Sequence, residues 1–193
     1  MKTFLIIIGI IAVLFIILQL YISSGSSNIE SYPYEVEKKY KLFEIRNYEA
    51  SLFTSVQLGS NKYSEVSSRG FSILAGYIFG GNDRKEKIAM TSPVAMSLED
   101  SMTMMFMVPK NLNRETLPRP NQSKIEFKEE PAKRVAAIRF GGWANDEKIA
   151  TYKKILKAAL DAEGIAYSNR FSFLGYNPPF QFFNRKNEII VEL

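Results

Sequence analysis

Leu74-Ala-Gly-Tyr-Ile-Phe-Gly-Gly-Asn-Asp-Arg-Lys-Glu-Lys-Ile-Ala-Met-Thr-Ser-Pro-Val94 decides the fold. Its first residues end an amphipathic helix, Gly80-Gly81 stops that helix, and the apolar residues after the charged turn begin a strand. Working back, Tyr63, Val66, Gly70, Ile73, Leu74 and Tyr77 follow the 3.6-residue period, and Ser60 or Asn61 is placed to cap the helix. Before the Gly59-Ser60-Asn61 turn, Ala50 to Leu58 alternates as a strand, and Tyr34 to Tyr48 does so less regularly. Working forward, strands are expected at Ile88 to Met96 and Met102 to Val108. The second half repeats the order. Arg134 to Phe140 is a strand, Asn145 caps a helix running to Glu163, and Phe171 to Tyr176 and Glu188 to Leu193 close the chain. On the second helix Ile149, Tyr152, Ile155, Leu156, Ala159 and Leu160 share one face. Two halves of strand, helix, strand, strand predict an α+β fold, a pseudo-symmetric two-repeat sheet curved into an open, distorted β-barrel with both helices outside. Pro109 to Ser123, with Leu117-Pro-Arg-Pro120, reads as a surface loop.

Within the opening stretch, Lys87-Ile-Ala-Met-Thr-Ser-Pro-Val94 closely resembles the signature of the SOUL haem-binding family. A second piece, Gly175-Tyr-Asn-Pro-Pro-Phe180 followed by Arg185-Lys-Asn-Glu-Ile189, resembles the family's C-terminal pocket loop. The resemblance covers residues 34–193, the SOUL-type domain. It implies a distorted β-barrel flanked by two long helices, similar to the effector-binding domains of bacterial drug-responsive regulators. It also implies tetrapyrrole binding without catalysis, on a shallow surface between the first of these helices and the loop. The position of an arginine in vertebrate members falls at Ser68, with Arg69 beside it, and a loop position that is often lysine falls at Gln181. Phe71 on the helix, with Tyr176 and Phe180 in the loop, complete the cofactor-binding residues that the resemblance implies.

Residues 1–22 read as a membrane anchor or signal segment, and 23–33 as a flexible Ser/Gly/Asn linker. Phe4 to Ile22, broken only by Gln19, is about 19 residues and spans roughly 28 Å as a helix. That length favours a retained single-pass span with the domain extracytoplasmic, and secretion after cleavage within Ser23–Ser27 is the alternative. The chain of 193 residues carries a net charge of +5, dispersed, with no basic run interleaved with aromatics, which gives no footprint for nucleic acid.

The chain has no cysteine and no histidine. Disulfides, thiolate catalysis, the familiar triads and most zinc sites are thereby excluded. Glu126, Glu129 and Glu130 read as exposed charge at a strand end. Gly80-Gly81-Asn82 closes a helix where a phosphate cradle opens one, so it is discarded. Six of the seven methionines fall between Met90 and Met107. On a strand Met102 and Met104 face one side and Met105 and Met107 the other, so they fill core and cannot converge on one ion. A haem-sized ligand needs a broad apolar face and cations for two propionates, for which Arg69, Arg185 and Lys186 are placed. Axial ligation falls to a tyrosinate such as Tyr77 or Tyr176, to a methionine, or to no protein group. Apolar enclosure without ligation is the favoured version. The expected function is therefore non-covalent binding of haem or a related porphyrin, as carrier or buffer. The alternatives are a binding module for other planar apolar molecules and a hydrolase of small electrophiles using Tyr176 or Tyr77 with a buried glutamate.

Overall fold

A computed structural model describes residues 2–25, 29–99 and 101–193. Among these described residues three helices, α1 (Lys2–Gly25), α2 (Tyr63–Ile78) and α3 (Asp146–Ala162), accompany nine strands. These are β1 (Tyr34–Lys39), β2 (Glu44–Tyr48), β3 (Ser51–Gln57), β4 (Val94–Ser97), β5 (Thr103–Met107), β6 (Ile125–Glu130), β7 (Lys133–Gly141), β8 (Phe171–Gly175) and β9 (Lys186–Glu192). They form one antiparallel sheet in the order β1-β2-β7-β9-β8-β4-β5-β3-β6.

That order makes the curvature unavoidable. Glu49-Ala50 joins β2 to β3, and Pro131-Ala132 joins β6 to β7, yet each pair lies six places apart in the sheet. Three Cα steps reach at most about 11 Å, whereas six strand spacings in a flat sheet cover about 29 Å. The sheet must curl until its ends meet. The order is also a palindrome about the β8–β4 pair: β9 answers β5, β7 answers β3, and β2 answers β6. The expected pseudo-symmetric α+β barrel is thus what the chain forms.

The two faces of the curled sheet carry separate cores. Tyr48, Phe53, Met105, Met107, Val135 and Ile190 point inside the barrel. Tyr32 closes the seam there, its ring 4.5 Å from that of Tyr48 and 5.1 Å from that of Phe53. Met102, Met104, Phe106, Phe173 and Ile189 point outward against Val66, Leu74 and Tyr77 of α2 and Ile149, Leu156 and Leu160 of α3. The methionines divide between the faces as strand alternation requires.

Individual departures from expectation trace to named contacts. Asn145 caps α3, its Oδ1 accepting from the amide of Lys148 at 2.8 Å. Neither Ser60 nor Asn61 caps α2; the helix starts after Lys62, and Asp146 of α3 accepts from the Tyr63 and Ser64 amides at 2.6 and 3.1 Å. The strand expected from Ile88 shrinks to β4, because Pro93 donates no hydrogen bond and Thr91 spends its hydroxyl on the Met107 carbonyl, 2.7 Å away. Gly80 ends α2 at a φ of +109°, and a Cβ on Gly81 would sit 2.6 Å from the Gly76 carbonyl oxygen. Glu130 is buried rather than exposed, held by Lys128 at 2.8 Å and Lys133 at 2.6 Å.

The membrane expectation is corrected. Among the described residues no helix is long and apolar enough to cross a membrane. The exposed apolar run of α1 is Phe4 to Leu18, about 22 Å of helix against the roughly 30 Å of a hydrocarbon core. It ends at Gln19, which is 5% exposed and turned onto the folded domain. The single-pass localisation and the membrane as a partner go with the span. From the expected linker, residues 26–28 lie outside the described residues. Glu30 and Tyr32 pair with Ser92 through backbone bonds of 2.9 and 2.8 Å.

Candidate functional site

A cleft of about 500 Å³ opens on the outer face of the sheet where the two halves meet. Its floor is the β4–β8 pair, in which Val94 lies opposite Gly175 and Met96 opposite Phe173, with Met104 of β5 beside them. One wall is α2, through Tyr63, Ser67, Ser68 and Phe71. Gly70 lets that helix approach closely: a Cβ there would meet Leu58 Cδ1 at 2.8 Å and Met104 Cε at 3.2 Å. The facing wall is the turn Trp143-Ala144-Asn145 before α3, together with Asn177, Pro179 and Arg185 of the β8–β9 loop.

Arg185 holds that loop in shape. Its Nη1 donates to the carbonyls of Pro178 at 2.9 Å and Gln181 at 2.6 Å, and its Nη2 to that of Asn177 at 3.4 Å. The guanidinium stacks 4.0 Å from the Trp143 ring centroid. Burial lowers its pKa from the usual arginine value, and arginine, as so strong a base, keeps its charge in proteins. Its Nε is buried with no partner, a donor left over in the wall of the cleft.

The residues singled out from sequence separate into two groups. Ser68 and Phe71 line the cleft, Phe71 lying 5.4 Å from the Phe106 ring. Arg69 is exposed on the same helix and stands outside the lining. Phe180 is exposed at the loop tip, and its carbonyl accepts from Gln19. Gln181 is buried, its Nε2 donating to the Phe183 carbonyl at 3.0 Å.

Tyr176 turns the other way. Its hydroxyl donates to Glu188 at 2.6 Å, within the network of Arg46 and Tyr48. Burial drives its pKa well above the ordinary phenol value, and the neighbouring Tyr48 and Glu188 add to the rise. Lys186 faces the same side, 3.1 Å from Glu188. Tyr77 is buried too, its hydroxyl bonded to the Pro118 carbonyl at 2.9 Å, and burial pushes it up to about 12. Neither phenol reaches the cleft; Tyr63, which does, has its pKa raised by burial as well.

Sequence reasoning missed Trp143 as a wall and Met96 and Met104 as floor of the cleft. The one available signal was a lone tryptophan between the Gly141-Gly142 break and the Asn145 cap, too polar a context for a core position.

The SOUL heme-binding protein family matches residues 29–192. The chain belongs to that family. Among curated SOUL relatives, Heme-binding protein 1 of Xenopus laevis is 25% identical over 161 residues, covering 79% of this chain and 84% of the relative. Heme-binding protein 2 of Mus musculus is 28% identical over 167 residues, covering 81% and 80%. Among solved structures, the EcmrR C-terminal domain superposes with a TM-score of 0.60 at 11% identity, covering 82% of this chain and 96% of that one. A hydrolase from Listeria innocua superposes with a TM-score of 0.53 at 10% identity, covering 80% and 93%. At those identities the likeness concerns the fold, and it places this SOUL domain among effector-binding-like barrels.

Proposed function

We propose that the cleft binds haem or a related tetrapyrrole without a covalent bond, and that the protein acts as a carrier or buffer of it. The observation that carries this reading is the cleft itself. An apolar floor of Val94, Met96 and Phe173 and apolar walls of Phe71 and Trp143 adjoin one cation with an unused, desolvated donor, Arg185 Nε. Family membership and the names of the relatives support the same ligand class. The residues fit a flat, mostly apolar molecule with a carboxylate at its edge: the walls supply contact area, and a charge-assisted bond to Arg185 supplies orientation.

Haem, when bound, supplies the iron chemistry; the protein's groups supply enclosure. No histidine exists to ligate it, and the phenol of Tyr63 stays protonated near neutral pH. Ser68 at the rim and Phe71 below it are the helix contributions, with Phe180 and Gln181 shaping the loop opposite. Arg185 takes the role expected of Arg69.

Binding is favoured over hydrolysis by where the acid is. Glu188, the buried glutamate beside Tyr176, points into the barrel and is held by Arg46 at 2.8 and 3.1 Å. A pair engaged there is not aimed at anything in the cleft.

Trp143 is the chain's single tryptophan and lies in the cleft wall, so hemin titration has a built-in reporter. Hemin at micromolar concentration is expected to quench tryptophan emission in parallel with a shifted Soret band. Ser68→Phe, which puts a ring across the mouth from an exposed helix position, is expected to weaken binding about tenfold or more. Absence of both signals, or a Ser68→Phe titration identical to the parent, would overturn this reading.

A further inference from the structure

The polar residue that interrupts the apolar run of α1 is accounted for by the cleft. Gln19 donates from Nε2 to the Phe180 carbonyl at 3.2 Å and accepts at Oε1 from the Phe182 amide at 3.0 Å. One side chain thus clamps two backbone groups of the β8–β9 loop, and it is 5% exposed in doing so. One helical turn earlier, the Phe15 ring lies 5.9 Å from that of Phe182, and Phe182 lies 5.8 Å edge-on from Trp143. Trp143 in turn stacks on Arg185. A continuous line of contacts therefore runs from α1 across Phe182 to the cation in the cleft. The family match begins at residue 29, so this buttress comes from a segment outside the matched domain.

We propose that α1 is a working part of the ligand site: Gln19 is a positioning residue that fixes the β8–β9 loop, so that Phe182 backs Trp143 and Arg185 and slows release of the bound molecule. This rests on the tetrapyrrole reading of the cleft. The chemistry of the clamp is specific. Glutamine offers one donor and one acceptor on the same planar amide, which is what a carbonyl and an amide two residues apart require. Leucine of similar size keeps the helix and the packing but offers neither.

The test uses the full chain in a detergent-containing buffer, because the apolar side chains between Phe4 and Leu18 are exposed. Parent, Gln19→Leu, Phe182→Ala and the double variant are compared by amide hydrogen exchange over residues 180–184. Hemin release is followed by transfer to apomyoglobin. Losing two partly buried hydrogen bonds is expected to speed both exchange and hemin release by about tenfold. In the Phe182→Ala background the Gln19 substitution is expected to speed exchange but leave release unchanged, because the ring that the clamp positions is gone. Gln19 lies outside both cores of the sheet, so circular dichroism of the variant should match the parent. Unchanged exchange in Gln19→Leu overturns the clamp; faster exchange with unchanged release overturns its role at the site. If the parent binds no hemin at all, the tetrapyrrole reading fails instead. The clamp is then decided by exchange and by the Trp143 emission spectrum, which shifts if the loop moves.

Discussion

Arg46→Leu is the sharpest perturbation of the barrel interior. Glu188 is completely buried, and Arg46 holds it with a bidentate pair at 2.8 and 3.1 Å. Tyr176 donates a third bond at 2.6 Å, and Lys186 stands 3.1 Å away. Removing one partner of a buried pair costs about 3–5 kcal/mol, because the remaining charge stays in a medium that solvates it poorly. Lys186 and Tyr176 remain, which puts the expectation at the lower end, about 3 kcal/mol. Arg46→Leu with Glu188→Leu removes both charges and is expected to cost less than Arg46→Leu alone. Urea unfolding followed by circular dichroism measures all three. The pH dependence supplies a second check. Burial alone would raise the Glu188 pKa, but the bonds and charge of Arg46, with Lys186 and Tyr176, hold it below the ordinary carboxylate range. In the parent its stabilisation is therefore complete above that range and is lost as pH falls through the lowered value. Without Arg46, burial dominates and the carboxyl becomes easier to protonate, so the deficit of Arg46→Leu should shrink between pH 7 and pH 5. A single variant within about 1 kcal/mol of the parent, or a deficit that grows on acidification, would refute the reasoning.

Asp146→Ala removes the carboxylate that caps α2 from across the cleft and is expected to cost about 1–2 kcal/mol in thermal unfolding at pH 7. Burial opposes its charge, but the bonds from Ser64 and Tyr63 outweigh that and lower its pKa, so the contribution is present at neutral pH and lost only as pH falls through the lowered value. Leu156→Ala, at a position with no exposed surface on α3, is expected to cost about 2–5 kcal/mol by scanning calorimetry; a loss under 1 kcal/mol would mean that α3 is not docked on the sheet.

Much of this architecture was legible because period alone encodes it. Tyr63 to Tyr77 and Ile149 to Leu160 announce two helices, and alternation through Met102 to Met107 assigns each methionine to its face before any coordinate is known. What period cannot encode is partnership across the chain. Asp146 capping α2 joins residues 83 and 82 positions apart, and nothing near Lys62 signals it. The adjacent pair among the three expected cations, Arg185 and Lys186, part for a related reason. Arg185 falls in an irregular loop whose fold is set by its own three carbonyl bonds, while Lys186, one residue on, begins β9 and faces into the barrel. The N-terminal run misled because hydropathy counts residues and not contacts: Gln19 reads as a blemish in an apolar stretch, whereas it faces the β8–β9 loop.

The position of the cleft follows from the repeat, and its chemistry from where the repeat fails. Because the strand order is palindromic, β4 and β8 adjoin at the centre, and the helix that precedes each packs on its own half of the sheet. A groove over the central pair is what two such helices leave uncovered. The N-termini of α2 and α3 meet at one end of it, close enough for Asp146 of one to cap the other. A symmetric groove would bind a ligand in two equivalent orientations. Symmetry is broken in the connections: β4 and β5 are joined by residues 98–102, β8 and β9 by 176–185. The longer loop brings Asn177, Pro179 and Arg185 to one side alone, in keeping with the tendency of function to collect on loops held by a rigid scaffold. On the reading proposed above, a flat molecule with its charge at one edge is expected to take a single orientation, carboxylate toward Arg185 and apolar face toward Phe71 and Phe173.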